Sequence, residues 1–283
     1  EYTLYGGCAT NVRLASNVVG TLTLPITLDD YPVTSVSGKS QDSSFLQSYG
    51  KFVTSVIFPS TLEVIGSYSL YNQNTIKSVY IPDGVKVIGE YAFSHMDNLT
   101  SINLPNSLKS IGNYAFHSSN LTSLTIPGSI TYLGHSICGN SKLQSVILQE
   151  GITNIPISCF YNCQNLTSVT LPSSLTVIPK CCFQYCTALR NISIPNAVTS
   201  IEDYAFAYCN YLRKVVLSSN VSAIGNQAFY NCDGLGILYI LNKNAKIYDN
   251  GGTISTAPLI YCYKGSTTDL YASKYNRAVK YLD

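Results

Sequence analysis

The sequence predicts an α/β solenoid: a right-handed superhelix of 22–23-residue coils, with short parallel strands on one face and a cap at each end. Three observations predict it. An apolar residue, usually followed by proline, recurs at positions 58, 81, 104, 126, 148, 171, 194, 217 and 240, in steps of 22 or 23 residues. The residues before each landmark alternate apolar and polar, as a half-buried strand does. A glycine recurs at one place in the unit, at Gly66, Gly89, Gly112, Gly134 and Gly225. One such unit cannot bury its own apolar edge, so stacked copies must build the core together.

In chain order, residues 1–57 read as an N-terminal cap and an irregular first coil. Within "TLTLPITLDDYPVTSV", Thr21 to Val36, a coil carries an insertion between Pro25 and Val33. The step from Leu24 to Phe58 is 34 residues, which leaves "SGKSQDSSFLQSYG" for a longer loop. Residues 1–20 read as strands covering the open sheet edge of the first coil.

Residues 58–239 hold eight regular repeats. In "LTSINLP", Leu99 to Pro105, Ile102 points in, Asn103 out and Leu104 in, and the proline closes the strand at a corner. Next, Leu108 and Ile111 point inward and Gly112 marks a turn. Ala115 and Phe116 then fall on the buried side of a helical turn. Phe93, Phe116, Phe160, Phe183, Phe206 and Phe229 are expected to form one buried column. Residues 240–283 are the last coil and a C-terminal cap, with a short helix over Thr268 to Tyr275. The whole chain is expected to be a single domain.

The units fit the strand pattern L-x-x-L-x-L. More narrowly, "IPNAVTSIEDYAFAYCNYLRKVV", Ile194 to Val216, resembles the BspA-like leucine-rich repeats. The resemblance covers about residues 20–283. It implies a bacterial cell-surface or secreted protein, or one from the surface of a parasitic protist, with a role in adhesion to host matrix or other cells. No family residue motif fixes that role, so none carries over. Two coils depart from the pattern: Pro156 and Pro179 replace the glycine, and Cys159 and Cys182 replace alanine.

Cys163, Cys186, Cys209 and Cys232 are spaced by 23 residues. One coil apart in a solenoid means roughly 5 Å, so the four form a line whose ends lie about 15 Å apart. A tetrahedral zinc site needs ligands that converge, which a line does not supply. Disulfides between neighbours are compatible with that spacing, although parallel stacked coils aim the thiols the same way. Packing as small apolar side chains is the plainer reading. Cys138, Cys159 and Cys182 are expected to form a second column at the alanine position, and Cys8 and Cys262 to lie too far apart to pair.

His95, His117 and His135 have no patterned nucleophile or carboxylate beside them. No phosphate loop, nucleophile elbow or calcium loop is present. The chain implies no cofactor and no enzyme, with a hydrolase kept as a remote alternative. Charged residues make up only 11% of the chain and the net charge is +2, without the basic excess that nucleic acid demands. No apolar run is long enough to span a membrane. "NLT" at 98, 120 and 165 fits a glycosylation pattern, but repeat geometry also explains it, with Asn making the turn before the strand.

The outward strand positions are small and hydroxylic at the centre and larger toward the ends. Arg190, Arg213 and Lys214 gather near Tyr239, and Tyr–Arg clusters are typical of binding hot spots. The expectation is a monomeric module that binds a protein or glycan through this face, extracellular or at a bacterial cell surface. A structural spacer in a larger surface protein is the alternative.

Overall fold

The computed structural model describes residues 3–5, 8–10, 18–38, 40, 46 and 52–283. Most of the expected loop over 37–50, the cap segment 11–17 and the side chain of Cys8 lie outside them. The chain forms two compact units, residues 1–143 and 144–283.

The first unit contains β1 (Thr3–Tyr5), β2 (Cys8–Thr10), β3 (Val19–Thr23), β4 (Thr27–Leu28), β5 (Tyr31–Pro32), β6 (Ser35–Val36) and β7 (Phe52–Ile57). It continues with β8 (Val64–Ile65), β9 (Ser78–Tyr80), β10 (Val87–Ile88), β11 (Ser110–Ile111), β12 (Ser123–Ile126) and β13 (Tyr132–Leu133). β3, β7 and β9 make one parallel sheet, and β6, β8, β10, β11 and β13 make another. The insertion after Pro25 is the antiparallel hairpin β4–β5. Its two linking residues, Asp29 and Asp30, have φ of 48° and 66°, the left-handed pair that a tight hairpin requires.

The second unit contains β14 (Ser145–Leu148), β15 (Ser168–Thr170), β16 (Val177–Ile178), β17 (Ser200–Ile201), β18 (Lys214–Leu217) and β19 (Ala223–Ile224). It ends with β20 (Ile237–Ile240), β21 (Lys246–Ile247), β22 (Leu259–Cys262), α1 (Thr267–Lys274) and β23 (Val279–Tyr281). β14 pairs with β15, β16–β17–β19–β21 form one parallel sheet, and β18–β20–β22–β23 form another. Each unit is therefore built of right-handed β-solenoid coils. α1 sits within one residue of its expected span and starts at Ser266, whose side chain accepts from the Asp269 N–H.

The two-residue strands at "VI" and "SI" were not expected as a second sheet. They arise where Leu108 and Ile111 turn inward, and neighbouring coils pair there residue for residue. The helical turn expected at Ala115 and Phe116 is not helical. Each coil instead runs through stacked turns with two left-handed residues four apart, such as Tyr91 and His95 or Tyr204 and Tyr208. Backbone N–H groups there donate to the adjacent coil, as Phe93 does to Ala115 (2.8 Å) and Phe116 to Ile137 (2.7 Å). A helix would turn those donors back on itself.

The same bonds correct the place of Cys138. Ile137 occupies the alanine position beside Ala115, so Cys138 stands where Phe116 stands one coil earlier. Cys159 and Cys182 do occupy the alanine position. The strand expected at 99–105 keeps its alternation, with Leu104 buried and Asn103 exposed, but joins no ladder. The recurring glycines serve close approach rather than a left-handed turn. A Cβ on Gly112 would lie 2.6 Å from the Glu90 backbone nitrogen, and one on Gly134 2.3 Å from that of Asn113.

The six phenylalanines of the expected column are fully buried, Phe93 and Phe116 in the first unit and Phe160, Phe183, Phe206 and Phe229 in the second. Phe93 stacks on Phe116 at 5.5 Å, and Phe160, Phe183, Phe206 and Phe229 stack in turn at 5.4–5.6 Å. Such offset stacks add to the burial of each ring and fix its orientation.

Candidate binding surface on the C-terminal sheet

Strand alternation dictates which side chains leave the core. In β18, Val215 and Leu217 are buried while Lys214 and Val216 are exposed. In β20 and β22 the same alternation turns Tyr239 and Tyr261 outward. Parallel register then aligns them: Val216 lies opposite Tyr239, Tyr239 opposite Tyr261, and Tyr261 opposite Lys280. The rings of Tyr239 and Tyr261 stack with centroids 4.3 Å apart. The Lys214 ammonium lies over Tyr239 at 5.4 Å, and that of Lys280 over Tyr261 at 5.6 Å. The ring quadrupole favours a cation there.

The structure thus joins Lys214 to Tyr239. Arg190 and Arg213 are both exposed, and the Arg213 N–H donates to the Arg190 carbonyl at 2.9 Å. All four cation–ring contacts among the described residues are made by lysines, so neither arginine caps a tyrosine. Sequence reasoning missed Tyr261 and Lys280. The signal for Tyr261 was its position 22 residues after Tyr239, one repeat step.

Beside this array the sheet opens. Coil 191–194 is paired with β18 by a single bridge, between Asn191 and Lys214. A groove of about 480 Å³ follows, lined by Asn191, Ser193, Asn196, Ser218 and Lys214 among others.

The cysteine column lies on the opposite, buried side. Cys163, Cys186, Cys209 and Cys232 are buried, and none of them is in a disulfide bond. Cys186, Cys209 and Cys232 donate to the carbonyls of Phe160, Phe183 and Phe206 at 3.2, 3.1 and 3.0 Å. Burial raises the thiol pKa well above the ordinary value at Cys186 and Cys209, and to about 12 at Cys232. Burial of this kind disfavours the thiolate, the nucleophilic form, at Cys186, Cys209 and Cys232. Asn98 and Asn120 likewise serve the stack, their amides donating to the carbonyls of Asn74 and Asp97 one coil back.

His95 and His117 sit on the turn side with rings 5.9 Å apart. Burial, then the neighbouring His95, lowers the His117 pKa. Among the described residues, no three His, Cys, Asp or Glu side chains are placed to hold one metal ion. Among the described residues, no helix is long and apolar enough to cross a membrane.

The model of the BspA type leucine rich repeat region matches residues 41–157 and 134–251, well over half of the chain. The chain belongs to the BspA-type leucine-rich repeat family. Solved structures of bacterial leucine-rich repeat proteins resemble this BspA-type chain. One from Bacteroides ovatus shares 25% identity over all of this chain and 74% of its own, with a TM-score of 0.75. One from T. pallidum shares 26% identity over 68% of this chain and 88% of its own, with a TM-score of 0.59. One from Eubacterium ventriosum, 21% identical over 86% of this chain and 74% of its own, has a TM-score of 0.55 and shares the fold. Among curated proteins, none matches this BspA-type chain significantly.

Proposed function

We propose that this BspA-type chain is a non-enzymatic adhesion module, extracellular or displayed on a bacterial surface, that binds a protein or glycan through the sheet face of its second unit. The observation that carries this reading is the array Lys214, Tyr239, Tyr261 and Lys280, aligned by strand register on one sheet. Rigid aromatic side chains with cations beside them concentrate binding energy at interfaces. Arg190 and Arg213 extend the basic character of the same face. The module acts as a monomer and takes no nucleic acid.

Immobilised host matrix proteins and glycans, screened with the wild-type chain and a Lys214→Ala/Tyr239→Ala double variant, test the reading. Capture by wild type and its loss in the folded variant is expected. Equal capture by both would move the site elsewhere.

A further inference from the structure

We infer that the partner of this face is an anionic polysaccharide, one whose repeating units carry carboxylate or sulfate groups. The inference rests on the sheet-face reading above and deepens it.

The charge comes first. The ion pairs among the described residues are Lys86 with Glu63 and Lys274 with Asp249. Lys214 and Lys280 therefore have no carboxylate partner there. Both are exposed, and each is held by a ring rather than by an anion. Their strands, β18 and β23, are the outer two of a four-stranded sheet. Strand spacing sets them about 14 Å apart. A single small anion cannot reach both. A chain with repeated negative groups can.

The groove supplies the second argument. Between coil 191–194 and β18, about 480 Å³ is lined by Asn191, Ser193, Asn196 and Ser218 beside Lys214, with apolar side chains such as Ile194 and Leu241 among them. Amides and hydroxyls both donate and accept, as sugar hydroxyls do. No carboxylate lines this groove to repel an anion. A groove of about 450 Å³ beside β17, β19 and β21 differs, because Glu202 and Asp203 offset Lys180 and Lys246 there.

The exposed face of these strands separates a sugar chain from an acidic peptide. Val216 lies between the groove and the Tyr239–Tyr261 pair, and it is 41% exposed. The surface along β18, β20 and β22 is thus a shallow apolar and aromatic ridge. A sugar ring lays its C–H face on such a ridge, with its hydroxyls toward the amides and hydroxyls of the groove and its charges at the two ammonium groups. An extended peptide instead adds to a sheet edge through main-chain hydrogen bonds, and this array stands on the face of the sheet.

Binding of the whole chain to immobilised heparin, polygalacturonate, dextran and polyglutamate tests this. Heparin or polygalacturonate is expected to bind, with affinity falling as salt rises. Binding to heparin alone assigns the site to sulfate, and to polygalacturonate alone to carboxylate; either supports the inference. Tyr239→Ala/Tyr261→Ala is expected to weaken binding about tenfold or more. Lys214→Gln/Lys280→Gln changes only exposed side chains, and it should weaken binding and flatten the salt dependence. Equal binding to dextran, stronger binding to polyglutamate, or unchanged polysaccharide binding by the Lys→Gln variant would each overturn the inference. Failure of both anionic polysaccharides alongside capture of a matrix protein lost in Lys214→Ala/Tyr239→Ala would overturn the polysaccharide alone and leave the adhesion reading standing.

Discussion

The Sγ of Cys209 donates to the carbonyl oxygen of Phe183, one coil back, at 3.1 Å. That bond ties the thiol column to the phenylalanine column, and Cys209 is fully buried. Alkylation of the native protein should therefore discriminate among the thiols. Cys181 is only partly buried, and burial raises its pKa less completely than at Cys182, Cys186 and Cys209. Peptide mapping after timed iodoacetamide treatment should show Cys181 labelled well before Cys186 and Cys209. Labelling of Cys209 as fast as Cys181 would mean that the column is open.

Close approach of coils makes its own prediction. Gly112→Ala would put a Cβ 2.6 Å from the Glu90 nitrogen, where only backbone can give way. Overpacking of this kind costs about 1–3 kcal/mol. Gly236→Ala meets nothing nearer than 3.8 Å and should stay within about 0.5 kcal/mol of wild type. Urea unfolding of the two variants checks the difference. Equal stabilities would show that the coils separate easily.

His117 predicts an acid-side loss of stability. Asn140 Nδ2 donates to its Nε2 at 2.9 Å, and Ser118 Oγ lies 3.0 Å from its Nδ1. Protonating Nε2 removes the acceptor that Asn140 uses. Burial and the like charge of His95 hold the folded pKa below its ordinary value. The unfolded chain therefore binds more protons below about pH 6.5. The contribution of neutral His117 is fully present above that pH and is lost as pH falls through the lowered folded value. Melting temperatures from pH 8 to pH 5 should fall more steeply for wild type than for His117→Gln. Parallel curves would exclude His117 as the titrating group.

The repeat made much of this fold legible, because a 22–23-residue period fixes which residues stack before any detail is known. Phe116, Leu108 and Ile111 were assigned inward from one unit read against its copies, and all three are buried. The stacked turns were not legible. Tyr91 and Tyr204 take left-handed φ, which a tyrosine side chain does not favour, and coil-to-coil hydrogen bonds decide it. Cys138 was misplaced by one position because that coil carries neither the alanine nor the phenylalanine of its neighbours. At the surface, Lys214 and Tyr239 could be paired from strand phase. Lys280 could not, since α1 and its connections separate β22 from β23 and hide their register in the sequence.

Hydrogen exchange with and without a captured ligand locates the binding face. Protection should rise in β18, β20 and β22, over 214–217, 237–240 and 259–262. Protection confined to the turn side, around Tyr204 and Tyr208, with the sheet unchanged, would contradict the sheet-face reading.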